Sequence, residues 1–159
     1  MLEDDYINFF DSIGYFGNNF SVVITCLLIY KQIPFLISYL IFIYLLNTRI
    51  NYFFKSYFNE KRPKNPIKFL DEDHFNETNL GMPSGHTQIA CFSILYAYLV
   101  TKQIYPWIAL LIVICIIIFV ERYTHNNHSI KQLVGGCIIG GMLAPILFYS
   151  TKWVIGKFK

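Results

Sequence analysis

Long apolar runs are the feature that most constrains this chain. The stretch 104–120, IYPWIALLIVICIIIFV, contains no charged residue, and a helix of about this length can cross the hydrocarbon core of a bilayer. Only 14% of all residues are charged, whereas soluble domains carry about 25%. The chain therefore lacks the polar surface that a water-soluble globule needs, and we predict an all-α integral membrane protein.

The apolar runs predict a single domain, 1–159, with several transmembrane helices. A short run that pairs acidic and aromatic residues at 2–12 predicts an amphipathic helix lying in the membrane interface. The last predicted span contains GGCIIGGMLA, in which small residues four apart permit close helix contact. The five predicted spans cover about 14–30, 33–54, 84–101, 104–120 and 129–150.

Charge and cysteine content exclude several classes of partner. The net charge of +3 is too small to indicate a nucleic-acid partner. The four cysteines all lie inside apolar runs without the spacing of metal ligands, so we interpret them as small packing residues. We predict no metal and no cofactor, and membrane lipids as the surroundings. The cysteines are Cys26, Cys91, Cys115 and Cys137.

Five spans place the polar segments of the chain on one face of the membrane. An odd number of crossings puts the N-terminus, the connection 55–82 and the stretch 121–128 on the same side. Lys55 then lies at the level of Ser84 and His86, and the stretch carrying Arg122 and His128 returns to that level. The number and order of the spans alone thus predict a cluster of cations and histidines at one membrane surface.

The cations of this predicted cluster suit an anionic group. Lys55, Arg62 and Arg122 would offer charge and forked donors to a phosphate. The helix that begins at Ser84 and Gly85 adds backbone N–H groups and the positive end of its dipole. His86 and His128 would be available for nucleophilic and acid–base work.

Three segments resemble the signature motifs of the type 2 phosphatidic acid phosphatase superfamily, which also includes vanadium haloperoxidases. They are KSYFNEKRP at 55–63, PSGH at 83–86 and ERYTHNNHSIKQ at 121–132. They occur in the same order as in that superfamily and with its internal spacings. The resemblance implies a metal-independent hydrolase that acts on a lipid phosphate or diphosphate.

The resemblance also implies a role for each matching residue. His128 would attack phosphorus and form a phosphohistidine. His86 would protonate the leaving oxygen and then activate water. The phosphoryl oxygens would be held by Lys55, Arg62, Ser84, the Gly85 amide and Arg122.

Two residues depart from the superfamily pattern. Glu121 stands where the third motif usually has Ser, and we expect it to pair with a neighbouring cation. Gln132 stands where the motif usually ends in Asp. On a helix Gln132 shares a face with His128, so its oxygen could accept the imidazole N–H and set the tautomer. The segment HSIKQLVGG is similar to dolichyl diphosphatases, which favours a polyprenyl diphosphate substrate.

Three alternatives remain open at this stage. A catalytically silent lipid-binding protein would explain the changes at Glu121 and Gln132, and trapping of a phosphoenzyme would discriminate against it. A haloperoxidase that holds vanadate would oxidise halides, although those relatives are soluble. A serine hydrolase using Ser84 is disfavoured because no nucleophile elbow accompanies that residue.

Other polar residues receive simpler interpretations. We interpret His125 as a solvated neighbour of the site, with assistance to phosphate binding as the alternative. His74 with the acidic residues 71–73 is interpreted as a solvated loop rather than a metal site. Arg49 is expected to anchor a span end, although contact with a diphosphate is conceivable.

The predicted orientation follows from the distribution of charge. All acidic residues fall on the side of the predicted site, whereas the opposite side carries lysines and no acid. The positive-inside rule barely discriminates once the phosphate-binding cations are set aside. We expect the site to face the lumen or the exterior.

Overall fold

The computed structural model describes residues 9–67, 79–102 and 106–157. Within these ranges the chain is helical and forms no strand, apart from an isolated bridge between Lys61 and Leu80. The prediction of an all-α membrane protein is confirmed. The helices are α1 (Phe9–Ile29), α2 (Ile33–Ile41), α3 (Asn47–Phe58), α4 (Gly85–Thr101), α5 (Pro106–Thr124) and α6 (Ile130–Lys157), with a π-helical turn at Phe42–Leu46.

Helices α2 and α3 form one continuous rod, Ile33–Phe58, through the π-helical turn. Pro34 lies in the first turn, where its missing N–H costs nothing. The rod ends at Asn59, whose left-handed backbone (φ 47°) lets its N–H donate to the Lys55 carbonyl at 2.9 Å. Lys55 therefore lies in the last turn of the rod, close to the segment that carries Arg62.

Four of the described helices are long and apolar enough to cross a membrane, namely α1, the Ile33–Phe58 rod, α5 and α6. The remaining predicted span, 84–101, corresponds to α4, which has 17 residues and is not among these four. Its length of about 26 Å is at the short end for a crossing. Large apolar side chains point outward from the longer helices, as expected at a lipid-facing surface; they include Leu27, Ile112, Ile116, Met142 and Ile146.

The sequence predicts a break between an interfacial helix at 2–12 and a first span from about residue 14. That break is wrong for the described residues. Helix α1 runs without a break from Phe9, and most of the predicted interfacial helix, residues 2–8, lies outside the described residues. Gly14 and Gly17 do not end the helix because both face α5. A β-carbon at Gly14 would collide with Glu121, and one at Gly17 with Ile118.

Helix α4 lies at the centre of the bundle and packs most closely on α6. A β-carbon at Gly136 would collide with the Ser84 carbonyl oxygen, and one at Gly140 with that of Gln88. The prediction of close contact at this glycine-rich segment is therefore confirmed. Toward the far end, α4 contributes to an aromatic cluster in which Tyr39 stacks on Phe92. The tight α4–α6 contact brings the first turns of both helices together.

Candidate active site

The start of α4 is held by α6 and leaves one hydroxyl unpaired. The Ser84 N–H donates to the Gln132 carbonyl oxygen at 3.0 Å, and Thr87 Oγ1 donates to the Leu133 carbonyl oxygen at 2.9 Å. Ser84 is fully buried, and its Oγ has no hydrogen-bond partner among the described residues. The Ser84 amide is thus occupied, whereas its hydroxyl is available. The amides of Gly85 and His86 follow in the first turn, where helical N–H groups have no partner one turn earlier.

A buried polar network fixes α3 against α4. Gln88 Nε2 donates to Asn47 Oδ1 at 2.8 Å, and Asn51 Nδ2 donates to Gln88 Oε1 at 2.9 Å. This network was not predicted from the sequence. The missed signal is the four-residue spacing of Asn47, Asn51 and Lys55, which places all three on one buried face. Arg49 lies off this face and is exposed, which fits the anchoring role.

The three predicted phosphate-binding cations all affect the pKa of one imidazole, that of His128. Lys55 is 6% exposed and Arg122 is 5% exposed, each in the last turn of its helix. Arg62 follows α3, and its Nη1 donates to the Asn127 carbonyl oxygen at 3.5 Å. Burial, followed by the charges of Arg62, Lys55 and Arg122, lowers the pKa of His128 from 6.5 to about 3. The structure thus brings the three cations together around His128.

His128 is held by a hydrogen bond of its backbone N–H, whereas its ring Nδ1 makes none among the described residues. It is 3% exposed, and its N–H donates to the Arg122 carbonyl oxygen at 3.1 Å. Its Nδ1 is buried and has no hydrogen-bond partner among the described residues. His86, in the first turn of α4, lies within electrostatic range of Arg122 and of His128. The two predicted catalytic histidines therefore share one charged environment.

Gln132 links α6 to the segment that precedes Arg62. Its Oε1 accepts the Ser129 N–H at 3.1 Å. The same side chain interacts with the His128 imidazole, and the tautomer-setting bond to His128 stays a prediction. Gln132 Nε2 donates to Glu60 Oε1 at 3.1 Å and to the Lys61 carbonyl oxygen at 2.8 Å. These two acceptors require a donor, which an amide provides and a carboxylate does not.

Glu121 pairs with Arg122, as expected from the sequence. The buried Glu121 Oε2 lies 2.9 Å from Arg122 Nε. On the other side of this carboxylate, His125 Nδ1 lies 3.7 Å from Glu121 Oε1, and His125 Nε2 lies 3.9 Å from Asp11 Oδ1. The proposed acidic loop with His74 lies outside the described residues.

Comparison with known proteins places these residues in a family. The family model of the PAP2 superfamily matches residues 36–155, which include every predicted site residue from Lys55 to Gln132. The chain belongs to the PAP2 superfamily. Neither the comparison with curated proteins nor that with solved structures gives a match. Membership in the PAP2 superfamily supports phosphatase activity on lipid phosphates in general, and the apolar helices indicate a multi-pass membrane protein.

Proposed function

We propose that this PAP2 protein is a membrane-embedded lipid phosphatase that forms a phosphohistidine at His128 without a metal. The observation that carries the proposal is the convergence of Lys55, Arg62 and Arg122 on that buried imidazole. The negatively charged phosphoryl oxygens of a bound substrate would replace the mutual repulsion of these cations with attraction. The same charges keep His128 neutral, so its ring nitrogen retains the lone pair that a nucleophile needs.

The first step transfers the phosphoryl group to the protein. A ring nitrogen of His128 attacks phosphorus while the bond from phosphorus to the lipid oxygen breaks. The negative charge of the bound phosphate favours the protonated form of His86, which gives its proton to that leaving oxygen, and the lipid alcohol or lipid monophosphate departs. The three cations, together with the Ser84 hydroxyl and the Gly85 amide, stabilise the charge on the equatorial oxygens.

The second step regenerates the enzyme by hydrolysis. His86, now neutral, takes a proton from water, and the water oxygen attacks the phosphohistidine phosphorus. The bond between phosphorus and the His128 nitrogen breaks, which releases inorganic phosphate and restores both histidines. The same phosphate-binding cations serve both steps because the phosphorus passes through similar transition states.

For the substrate we favour a polyprenyl diphosphate over a phosphatidate-like monoester. The support is the third-motif segment HSIKQLVGG, with Gln at position 132. The experiment is a panel of purified lipid monophosphates and diphosphates assayed for phosphate release in detergent. Preference for a diphosphate is expected. A higher kcat/KM for phosphatidate would reject the diphosphate assignment and leave the phosphatase assignment intact.

The catalytic role of His128 is tested by substitution. His128→Ala should abolish phosphate release while the protein keeps its elution volume in size-exclusion chromatography. The matched control is His125→Gln, which alters the neighbouring histidine outside the group of cations and should retain most of the activity. Orthovanadate, a mimic of the five-coordinate phosphorus, should inhibit the wild type. Retained activity in His128→Ala would refute the mechanism.

A catalytically silent lipid-binding protein is the principal alternative. Rapid acid-free quenching after mixing with a 32P-labelled substrate distinguishes the two, since only the phosphatase yields a labelled protein that is stable to alkali. The absence of label with every substrate of the panel would favour the silent protein. Halide oxidation in the presence of vanadate and peroxide would instead favour the haloperoxidase alternative.

We further propose that the site faces the lumen or the exterior. The support is the concentration of acidic residues on the side of the site. Protease treatment of sealed vesicles tests this orientation through the connection 55–82. Cleavage from the cytosolic side would reverse it.

A further inference from the structure

Three of the four cysteines converge at one point inside the bundle. Cys91 lies on α4, Cys115 on α5 and Cys137 on α6, and their sulfur atoms all lie within 4.8 Å of one another. The Cys91 and Cys115 sulfurs are 3.8 Å apart, and all three thiols are free. Cys26, on α1, does not belong to this group. Three separate helices therefore each contribute one thiol to a common centre.

The spacing of these sulfurs suits a shared ion. At a metal–sulfur bond of about 2.3 Å, three sulfurs around one ion lie about 4 Å apart. The observed 3.8 Å between the Cys91 and Cys115 sulfurs is close to that value. A disulfide requires about 2.0 Å between sulfurs. Only a small adjustment of side chains is needed to place an ion between the three.

The surroundings of the thiols favour a soft ion. Buried apolar residues pack around Cys91 and Cys115, among them Ala90, Ile114 and Ile118. Within the described ranges no His, Asp or Glu joins the three cysteines as a fourth ligand. Soft sulfur ligands select Cu(I), zinc or iron–sulfur clusters. Structural zinc almost always takes four ligands, whereas three sulfurs suffice for Cu(I).

Binding converts the thiols to thiolates. The thiolate is the form of cysteine that binds a metal, so each ligating thiol releases its proton to solvent. Zn(II) held by the same three sulfurs would still lack a fourth ligand. We propose that Cys91, Cys115 and Cys137 form a three-sulfur site for Cu(I).

The location of this thiol site connects it to the helices that carry the catalytic residues. His86 lies about 8 Å from Cys91 along α4, and Arg122 about 11 Å from Cys115 along α5, at about 1.5 Å per residue. An ion shared by α4, α5 and α6 would join these helices below the phosphate-binding cations. Binding to the folded state alone stabilises it by mass action, so Cu(I) should raise the melting temperature.

The test is a titration of the reduced, purified protein in detergent with Cu(I) under anaerobic conditions, against a chromogenic Cu(I) chelator. One Cu(I) per chain is expected, together with a higher melting temperature. X-ray absorption should show only sulfur neighbours, at about 2.3 Å. Cys91→Ala, Cys115→Ala and Cys137→Ala should each weaken Cu(I) binding at least about 100-fold. Cys26→Ala is the matched control and should bind as the wild type does.

Three outcomes would overturn the proposal. One is the failure of the wild type to compete with the chelator. Another is Cu(I) binding that the triple alanine variant retains. The third is tighter binding of Zn(II) than of Cu(I) in a parallel titration. Because the absorption spectrum is measured on the wild type, nitrogen or oxygen neighbours would also reject the site even if an alanine variant failed to fold.

Discussion

Arg122 Nε lies 2.9 Å from Glu121 Oε2, and both side chains are buried. The two residues are adjacent in the chain, so their pairing fixes the guanidinium at the end of α5. The carboxylate also neutralises one of the three cations that surround His128. A Glu at the position where the motif usually has Ser is therefore accommodated as the partner of a phosphate-binding arginine.

Replacing Glu121 should weaken substrate binding as well as lower the stability of the fold. Glu121→Gln keeps the size but removes the charge, and breaking a buried pair costs about 3–5 kcal/mol. We expect a lower melting temperature and a KM raised about tenfold, because Arg122 loses its orientation. Steady-state kinetics and thermal unfolding measure the two effects. Glu121→Asp should recover part of the KM; an unchanged KM in Glu121→Gln would contradict the positioning role.

The link between Gln132 and Glu60 can be reversed by exchanging donor and acceptor. Gln132→Glu would set a carboxylate 3.1 Å from Glu60 Oε1 and remove the donor to the Lys61 carbonyl oxygen. We expect kcat/KM to fall about 10- to 100-fold, since the segment carrying Arg62 is released. Adding Glu60→Gln restores a donor facing the new carboxylate and should recover part of the loss. Additive effects in the double-mutant cycle would show that the two residues are independent.

The depressed pKa of His128 predicts a pH dependence of stability. Its folded-state pKa is about 3, whereas an unfolded histidine titrates near 6.5. Between these values the unfolded state binds more protons, so stability rises with pH and is lost as the pH falls from about 6.5 toward 3. In this window the melting temperature of the wild type should rise more steeply with pH than that of His128→Gln. Carboxylates contribute equally to both proteins, so identical slopes would contradict the prediction.

Two neighbouring glycines of α6 provide a matched test of the α4 contact. A β-carbon at Gly140 would collide with the Gln88 backbone, whereas at Gly141 nothing lies within 4 Å. Gly140→Ala should destabilise the protein by about 1–3 kcal/mol and reduce activity, because it displaces the start of α4. Gly141→Ala should be neutral or slightly stabilising. Equal melting temperatures of the two variants would contradict the packing described here.

The pattern of apolar runs was sufficient to predict the helical membrane class, and motif spacing was sufficient to single out the residues around His128. Helix periodicity could also have revealed the face shared by Asn47, Asn51 and Lys55. It could not reveal Gln88 as their partner, because that contact joins two helices distant in sequence. The contacts of Gln132 with Glu60 and Lys61 were missed for the same reason, because no local pattern relates those two residues to it.

The sequence by itself determined that this chain buries its helices in lipid, because long uncharged runs cannot be solvated by water. It also predicted which polar residues come together, since the order of spans dictates the side on which each loop would emerge. Only the tertiary structure decided that Glu121 holds Arg122, that Gln132 donates to Glu60, and that three cysteines meet. Those contacts depend on the rotation and separation of packed helices, which are set by close approaches such as that of Gly140 to Gln88.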